Sequence, residues 1–327
     1  MTAHKTFNIG IVPFPGAQLA AIFGLIDLFR IADGFAIRHD GGSSAFLRVS
    51  QQLPTGISDV AGQAIHSDAR PDVLILPPRL GGPMPAADSE PFVSWLKACH
   101  QAGTVIASAC GGAFLLAETG LVDGRCMTTH WDHAEIFRQR FPQVRLDIDR
   151  LLIDDGDILS AGGLMAWVDL GLKLVDRFLG PTVMAETAHY MLVDPPGREQ
   201  RYYSTFSPNL SHGDAAVLKV QHGLQASGAK DVNLATLAAM AGLEERTFLR
   251  RFRKATGLTA VDYCQRLRVG KACEMLQFST LTADAIAWQV GYGDASAFRK
   301  IFSRITGLTP GEYRRRFSVN RSEDSAR

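Results

Sequence analysis

The feature that most constrains this chain is an internal repeat near its C-terminal end. Seven residues recur at a single offset of fifty positions, and they include an aromatic pair, a Thr-Gly-Leu-Thr segment and a later tyrosine. Two unrelated amphipathic helices would not share all three features at one offset. The C-terminal part therefore contains two copies of one structural unit. The residues of the first copy are Phe248, Phe252, Thr256, Gly257, Leu258, Thr259 and Tyr263.

Each copy predicts a helix, a tight turn and a second helix. The turn of the first copy falls at Gly242, where a left-handed backbone favours glycine, and the turn of the second falls at Gly291 and Gly293. A longer helix between the copies would act as a rigid spacer of roughly 24 Å at 1.5 Å per residue. The predicted helices are 234–240 and 245–256 in the first copy, 283–290 and 295–305 in the second, and 261–276 between them.

The second helix of each copy combines an apolar face with a cationic face. Outward arginines and hydroxyls suit the major groove of double-stranded DNA, because a guanidinium matches the acceptor edge of guanine. The expected inward residues are Phe248, Leu249, Phe252, Phe298, Ile301 and Phe302. The candidate DNA-binding residues are Arg246, Thr247, Arg250, Arg253, Ser296, Arg299 and Lys300.

Charge is distributed unevenly along the chain. From residue 215 to the end there are 18 Lys and Arg against 10 Asp and Glu, whereas residues 1–214 contain 16 against 23. A basic C-terminal part is what a polyanion such as DNA would contact. A chance difference between two solvated surfaces gives the same balance, so charge alone leaves both interpretations open.

The N-terminal part alternates short Val, Ile and Leu runs with amphipathic stretches. This pattern predicts an α/β domain, with a parallel sheet covered by helices on both faces. A turn at 154–156 predicts a local hairpin between 151–153 and 158–160. The other expected strands are 8–12, 73–76 and 104–108, and the expected helices are 18–31, 90–102, 112–118, 133–141 and 164–178.

A polar, proline-rich segment divides the two parts. We predict a sensor domain at 1–193, a linker at 194–214 and an all-α domain at 215–327. Five scattered cysteines without CxxC spacing predict neither a disulfide framework nor a zinc site, and we expect no metal or cofactor. The absence of a signal-peptide pattern and of a long apolar run predicts a cytoplasmic protein without a membrane span.

Cys110 lies between an apolar run and a predicted helix. Its neighbours Ala109, Gly111 and Gly112 are small, as a sharp strand-to-helix elbow requires. A thiol near a helix N-terminus is expected to have a lowered pKa, and His130 is a candidate partner. We expect Cys110, Gly111 and His130 to line a ligand pocket; a purely structural role for the buried cysteine and the buried histidine remains the alternative.

The C-terminal part, from about 215 to 317, resembles the DNA-binding domain of the AraC/XylS family of transcription regulators. The resemblance rests on the bipartite repeat and on the run Gly291-Tyr-Gly-Asp-Ala-Ser-Ala-Phe298-Arg-Lys-Ile-Phe302. It implies that Arg246, Arg250, Ser296 and Lys300 contact base edges, with Arg299 open between base and phosphate. Arg251 and Arg253 are expected to contact phosphate or solvent, and Arg314–Arg316 to form a solvated helix end or a phosphate clamp.

The N-terminal part, from about 7 to 179, looks like the class I glutamine amidotransferase-like superfamily, in its branch of intracellular proteases and chaperone-like proteins. The matching motifs are Phe14-Pro-Gly16, the strand at 71–76, the elbow and Thr129-His-Trp131. The resemblance implies a flavodoxin-like parallel sandwich that senses a metabolite and dimerises. Ala21 stands where active members have an acid, and Gly111 where the peptidase branch has a histidine, so we expect no enzymatic activity.

Together these features predict a transcription regulator, specifically an activator, that responds to a small metabolite such as an amino acid or a quaternary amine. The expected partners are double-stranded DNA, the small-molecule effector, RNA polymerase and a second copy of the chain. An alternative is a cysteine-dependent hydrolase or glyoxalase-like enzyme with a DNA-binding tail. A redox sensor based on Cys110 is a third interpretation, although no resolving cysteine is near it in sequence.

Overall fold

The structure is a computed structural model that describes residues 5–41, 45–57, 70–204, 206–230 and 232–319. The chain divides into two compact units, Met1–Gln200 and Arg201–Arg327. This division falls inside the segment expected to be a linker. Gln200 is buried in the first unit, and Phe206 packs edge-on against Tyr263 in the second. The exact linker boundaries, 194–214, stay a prediction.

The first unit is built on a six-stranded sheet. Its strands are β1 (Phe7–Ile11), β2 (Leu47–Gln51), β3 (Val73–Leu76), β4 (Val105–Ala109), β7 (Leu152–Asp154) and β8 (Ile158–Ala161), and the short strands β5 (Cys126–Met127) and β6 (Arg145–Leu146) form a separate pair. The order in the sheet is β2-β1-β3-β4-β8-β7, and only β7 among these described strands runs antiparallel to its neighbour. The parallel sheet and the β7–β8 hairpin confirm the predicted α/β class.

Helices cover this sheet. They are α1 (Leu19–Asp40), α2 (Ala86–Gln101), α3 (Gly112–Glu118), α4 (Ala134–Arg140), α5 (Trp167–Leu179) and α6 (Pro181–Tyr190), with a 3-10 turn at Trp131–His133. Helix α1 is longer than predicted because Ala32 and Ala36 continue its buried face, and it ends only at Gly41, whose φ is 64°. No sequence pattern predicted α6, which follows α5 after Gly180, or the edge strand β2, whose polarity is mixed.

The second unit contains helices and no strand among its described residues. The helices are α7 (Ala215–Ser227), α8 (Leu234–Ala241), α9 (Glu245–Thr256), α10 (Ala260–Phe278), α11 (Ala283–Gln289), α12 (Ala295–Thr306) and α13 (Pro310–Phe317). They form two separate cores. Helix α10 contributes Tyr263 and Cys264 to the first core, and Ala272 and Leu276 to the second. The predicted helix-turn-helix units and the long helix between them are confirmed.

The repeated residues have the same geometry in both copies. Phe252 meets the ring of Tyr263 at 5.2 Å and 87°, and Phe302 meets Tyr313 at 5.6 Å and 89°. In each copy the repeated threonine hydroxyl donates to the carbonyl of the buried phenylalanine four residues earlier. Gly257 adopts a φ of 73° at the end of α9, and its counterpart in the second copy adopts 77°. The identities in the sequence therefore mark one packing arrangement used twice.

Leu249, which was expected to lie in the core of the first copy, is exposed to solvent. Leu249 is 40% exposed, whereas Phe248 and Phe252 on the same helix are fully buried. A residue next to Phe248 is turned by about 100° around the helix axis, and the two rings with Tyr263 already fill the space below α9. In the second copy Ile301 is half-buried against the core, as expected for an inward position.

Phe252→Ala and Leu249→Ala form a matched pair for testing this packing. We expect Phe252→Ala to lower the free energy of unfolding of the second unit by roughly 3–5 kcal/mol, because it removes a fully buried ring. Leu249→Ala should change it by less than about 0.5 kcal/mol. Hydrogen exchange of peptides from α9 and α10, followed by mass spectrometry across a urea series, measures both. Equal effects of the two substitutions would contradict the inward and outward assignment.

Candidate DNA-binding surface and effector site

Helix α9 presents a row of cations to solvent. It starts after the turn at Gly242, whose φ of 65° is the left-handed conformation expected there. Arg246, Arg250 and Arg253 are exposed and lie four and three residues apart, so they share the helix face opposite the buried phenylalanines. Thr247 is half-buried at the margin of this row. None of the ion pairs formed among the described residues uses these three arginines.

Helix α12 presents the matching surface in the second copy. The Asp294 carboxylate caps its first turn by accepting from the backbone N–H groups of Ser296 and Ala297, each at 3.0 Å. These bonds lower the pKa of Asp294, so the cap stays ionised. Ser296 and Lys300 are exposed on one face. Arg299 is also exposed, but its guanidinium pairs with Asp284 of α11.

Arg251 forms an ion pair within this unit, where the sequence predicts a phosphate contact or a solvated side chain. Its guanidinium donates to both oxygens of Asp214, at 2.9 and 2.7 Å. Asp214 is also the N-cap of α7, where it accepts from the N–H of Val217. The arginine lowers the pKa of this carboxyl group, and the pair joins α7 to α9. Arg251 therefore positions the helix that carries the exposed cations.

The three arginines at the end of α13 differ from one another. Arg314 donates to the carbonyl of Leu281, which ties α13 to the segment before α11. Arg316 donates to the Tyr203 hydroxyl at 2.6 Å and lies 5.3 Å from the centre of that ring. Only Arg315 of the three fits the expected solvated helix end. Two of the three are therefore engaged within this unit rather than forming a free cationic cluster.

In the first unit, Cys110 forms the sharp elbow that its small neighbours predict. It has a φ of 50°, a left-handed value that a side chain rarely adopts, at the point where β4 passes into α3. Its N–H donates to the carbonyl of Ala161 at 2.8 Å. Its own carbonyl accepts from the Thr129 hydroxyl at 2.7 Å. The elbow is therefore held on both sides, and residues 129–130 are brought against it.

The expected low pKa of the Cys110 thiol is wrong. The side chain is 2% exposed, and burial raises its pKa to about 11 although the Gly111 N–H acts in the opposite direction. The free-energy cost of burying a thiolate is larger here than the stabilisation that the first turn of a short helix gives it. The thiol is accordingly a protonated, apolar group at neutral pH.

Gly111 has no room for a side chain. A Cβ atom there would lie 2.9 Å from the Cβ of Arg79, so the histidine of the peptidase branch does not fit without movement of that residue. Arg79 donates to the carbonyl of Pro15 at 3.2 Å and to that of Gly82 at 2.7 Å, and so spans the loops beside the elbow. Arg79 was not predicted from the sequence, although its position just after β3, at the carboxyl edge of a parallel sheet, is a signal for a site residue.

His130 lies beside the elbow but is engaged elsewhere. It is half-buried, and its Nδ1 accepts from the N–H of Asp132 at 3.1 Å. Burial lowers its pKa, with a further contribution from His133, so the ring is neutral at pH 7. The structure therefore brings Thr129, the residue before His130, into direct contact with Cys110. Among the described residues, no hydrogen bond joins the Cys110 thiol to the His130 imidazole.

Gln200 holds this region together and was also missed from the sequence. Its side chain is 2% exposed, accepts from the N–H of Trp131 at 2.9 Å and donates to the carbonyls of Thr129 and Ile148. The Gln200 side chain packs directly against Gly162, where an added Cβ atom would lie 2.4 Å from Nε2 of Gln200. A residue seventy positions away from the segment it supports gives no local signal.

Neither a metal-binding cluster nor a membrane-spanning helix occurs among the described residues. Within the ranges that the structure describes, no group of three His, Cys, Asp or Glu side chains is arranged to hold a metal ion. Over the same ranges, no helix combines the length and apolar character that crossing a membrane requires.

Comparison with known proteins matches each unit to a family. Residues 55–177 match the DJ-1/PfpI family, and residues 237–316 match a helix-turn-helix domain family. The chain carries a DJ-1/PfpI domain followed by an AraC-type helix-turn-helix domain. This confirms both resemblances seen in the sequence. The second unit is called the helix-turn-helix domain below, and the first the DJ-1/PfpI domain.

Two similar transcription regulators align with most of this chain. The HTH-type transcriptional regulator GlxA of Rhizobium meliloti is 29% identical over 239 residues, which cover 72% of this chain and 73% of that protein. The HTH-type transcriptional regulator CdhR of Pseudomonas aeruginosa is 26% identical over 238 residues, covering 72% and 67%. The solved structure of Drosophila melanogaster DJ-1beta is 19% identical with a TM-score of 0.41, over 58% of this chain and 99% of that one.

Alkylation tests the state of the Cys110 thiol. With a pKa of about 11, fewer than about one thiol in a thousand is ionised at pH 7.5. We expect iodoacetamide to modify Cys110 far more slowly in the native protein than in urea, and more slowly than the half-buried Cys126. Peptide mass spectrometry over time measures both sites in one sample. Rapid modification of native Cys110 below pH 8 would show that the thiol is activated.

Proposed function

We propose that this protein is a sequence-specific DNA-binding transcription regulator that acts in the cytoplasm and is controlled by a small metabolite. One observation carries the proposal: two copies of a helix-turn-helix unit each expose a polar and cationic face on the second helix, at Arg246 and Arg250 in α9 and at Ser296 and Lys300 in α12. The similar proteins GlxA and CdhR are named as HTH-type transcriptional regulators, which supports it.

The exposed residues divide by the contacts they suit. Arg246 and Arg250 are one turn apart on α9, as two side chains that enter the same major groove would be. Arg253, near the C-terminal end of α9, suits a phosphate. Arg299 remains a candidate contact, because its ion pair with Asp284 is half-exposed on both sides and an exposed pair contributes little free energy.

Selection from fragmented genomic DNA of the source organism tests the function. The full-length protein is mixed with the fragments at two salt concentrations, and bound DNA is sequenced and then footprinted. We expect a recurring motif with two half-sites about one helical turn apart that survives the higher salt. Sequence-independent binding that disappears at the higher salt would overturn the proposal.

Arg250→Ala and Arg253→Ala separate base contact from phosphate contact. We expect Arg250→Ala to weaken binding to the selected site by roughly 1–3 kcal/mol and to relax the preference at one base pair. Arg253→Ala should weaken binding to all sequences alike and reduce the slope of log affinity against log salt by about one. Titrations of fluorescent duplexes at several salt concentrations measure both. The same loss on specific and random DNA for Arg250→Ala would refute its base contact.

We propose that the DJ-1/PfpI domain binds its metabolite without converting it. Burial keeps the Cys110 thiol protonated, with a pKa of about 11. Gly111 leaves no space for a neighbouring base, and the position of the expected acid is occupied by Ala21, which is fully buried. A nucleophilic mechanism needs a thiolate or a base that generates one, and these three observations argue against both.

The groups around the elbow favour an amino acid or a betaine-like zwitterion as the effector. The backbone and Cβ of Arg79 lie next to Gly111, and its guanidinium, a group that pairs well with a carboxylate, lies beside Gly16. Gln18, whose N–H donates to Pro78 beside Arg79, has a buried side-chain oxygen that lacks a hydrogen-bond partner among the described residues. An ammonium group would satisfy that oxygen.

A thermal-shift series checks this class of effector. We expect one or more amino acids or betaines to raise the melting temperature of the full-length protein, with a stabilisation that grows with ligand concentration. Arg79→Ala should abolish the shift, whereas Arg30→Ala, on the exposed side of α1, should retain it. A shift given only by amines without a carboxylate, and unaffected by Arg79→Ala, would exclude the role of Arg79.

We also propose that the protein is a homodimer that activates transcription together with RNA polymerase. Two copies would engage paired sites, and effector binding would shift the population towards the arrangement that binds them. Light scattering gives the oligomeric state, and transcription in vitro with purified polymerase gives the sign of regulation. A monomer at working concentration, or repression in that assay, would contradict these parts of the proposal.

A further inference from the structure

The two helix-turn-helix units have separate cores that share only α10. The first core is formed with the beginning of this helix and the second with its end. Helix α10 has 19 residues and is therefore roughly 28 Å long at 1.5 Å per residue. A contact between the two copies outside their cores would further restrict the angle that this helix sets between them.

Arg268, in the middle of α10, makes that contact. Its guanidinium donates to the carbonyl of Ala229 from Nε at 2.8 Å and from Nη2 at 2.6 Å. A third nitrogen, Nη1, donates to the carbonyl of Gly291 at 3.0 Å. Ala229 follows α7 in the first helix-turn-helix copy, and Gly291 follows α11 in the turn of the second copy. One side chain therefore bridges both units.

The two acceptors suit a cation. Ala229 and Gly291 have φ values of 55° and 87°, and each lies just beyond the C-terminal end of a helix. The negative ends of two helix dipoles therefore point towards one guanidinium, whose planar fork reaches both carbonyls at once. Ala229 is fully buried and Arg268 is half-buried, so water competes poorly for these bonds.

The units also touch at this point. A Cβ atom on Gly291 would lie 3.3 Å from Cγ of Lys230 and 3.6 Å from the central carbon of the Arg268 guanidinium. The ring of Tyr292 lies 5.5 Å from that same carbon, within the range of a cation–π contact. The turn of the second helix-turn-helix copy is thus held against the end of α7, with Arg268 between them.

We propose that Arg268 is a positioning residue that sets the spacing between the two recognition helices and thereby the number of base pairs between half-sites. The inference rests on the proposed DNA-binding function. Its three hydrogen bonds select one angle between the units, so the free protein is already arranged for one spacing. Without them, α10 and the contact between Lys230 and Gly291 connect the two copies, and arrangements suited to other spacings become populated.

A set of duplexes tests this, using the full-length protein and the half-sites found by selection. The spacer is kept, shortened or lengthened by one and two base pairs, and a further duplex carries one half-site only. We expect the wild-type protein to prefer its own spacing by about tenfold or more. Arg268→Met should reduce this preference to about threefold or less, while affinity for the single half-site changes by less than about twofold.

The controls separate positioning from folding. Lys271→Ala removes an exposed cation one turn further along α10, whose ion pair is with Glu274 of the same helix, and it should leave the spacing preference unchanged. Arg268→Lys keeps the charge but not the fork, and an intermediate preference is expected. Should Arg268→Met fail to fold, as judged by its melting temperature, Arg268→Lys provides the same comparison.

The outcomes distinguish the two proposals. Full spacing preference in a folded Arg268 variant would overturn the positioning role, as would an equal loss of affinity for single and paired half-sites. Absence of sequence-specific binding by the wild-type protein would instead overturn the proposed function. A flattened spacing preference together with an unchanged affinity for the single half-site supports Arg268 as the residue that sets the spacing.

Discussion

The helix-turn-helix domain depends on an edge-to-face contact between a phenylalanine and a tyrosine, made once in each copy. Phe252 with Tyr263, and Phe302 with Tyr313, lock the second helix of a unit against the helix that follows it. In both copies the tyrosine hydroxyl also accepts from a glutamine side chain, Gln221 in the first. Because these rings occupy the inner face of α9 and α12, the polar residues of both helices have only the outer face available.

Helix α10 has two structural roles. Apolar residues at its two ends complete the cores of the two helix-turn-helix copies. In its middle, the Arg268 hydrogen bonds to the turns after α7 and α11 hold the two copies at one angle. The candidate DNA-binding surface is therefore positioned by contacts on the inner side of its helices, including the Arg251–Asp214 pair that joins α9 to α7.

The sequence was informative wherever a property depends on local periodicity. The repeat predicted α8, α9, α11 and α12 almost to the residue, and small residues predicted the elbow at Cys110. Properties that depend on distant residues were missed. The thiol pKa was wrong in direction because burial by the whole domain outweighs one helix terminus. Arg79, Gln200 and Arg268 act across long sequence separations, which no local pattern records.

The close approach of Arg79 to Gly111 limits the ways in which a base could be placed beside Cys110. Any side chain at position 111 would collide with the Cβ of Arg79, and that atom belongs to every residue type except glycine. Acquiring a base beside Cys110 therefore requires a shift in the loop of Arg79 together with the change at position 111. A substitution at position 111 alone therefore does not provide that base.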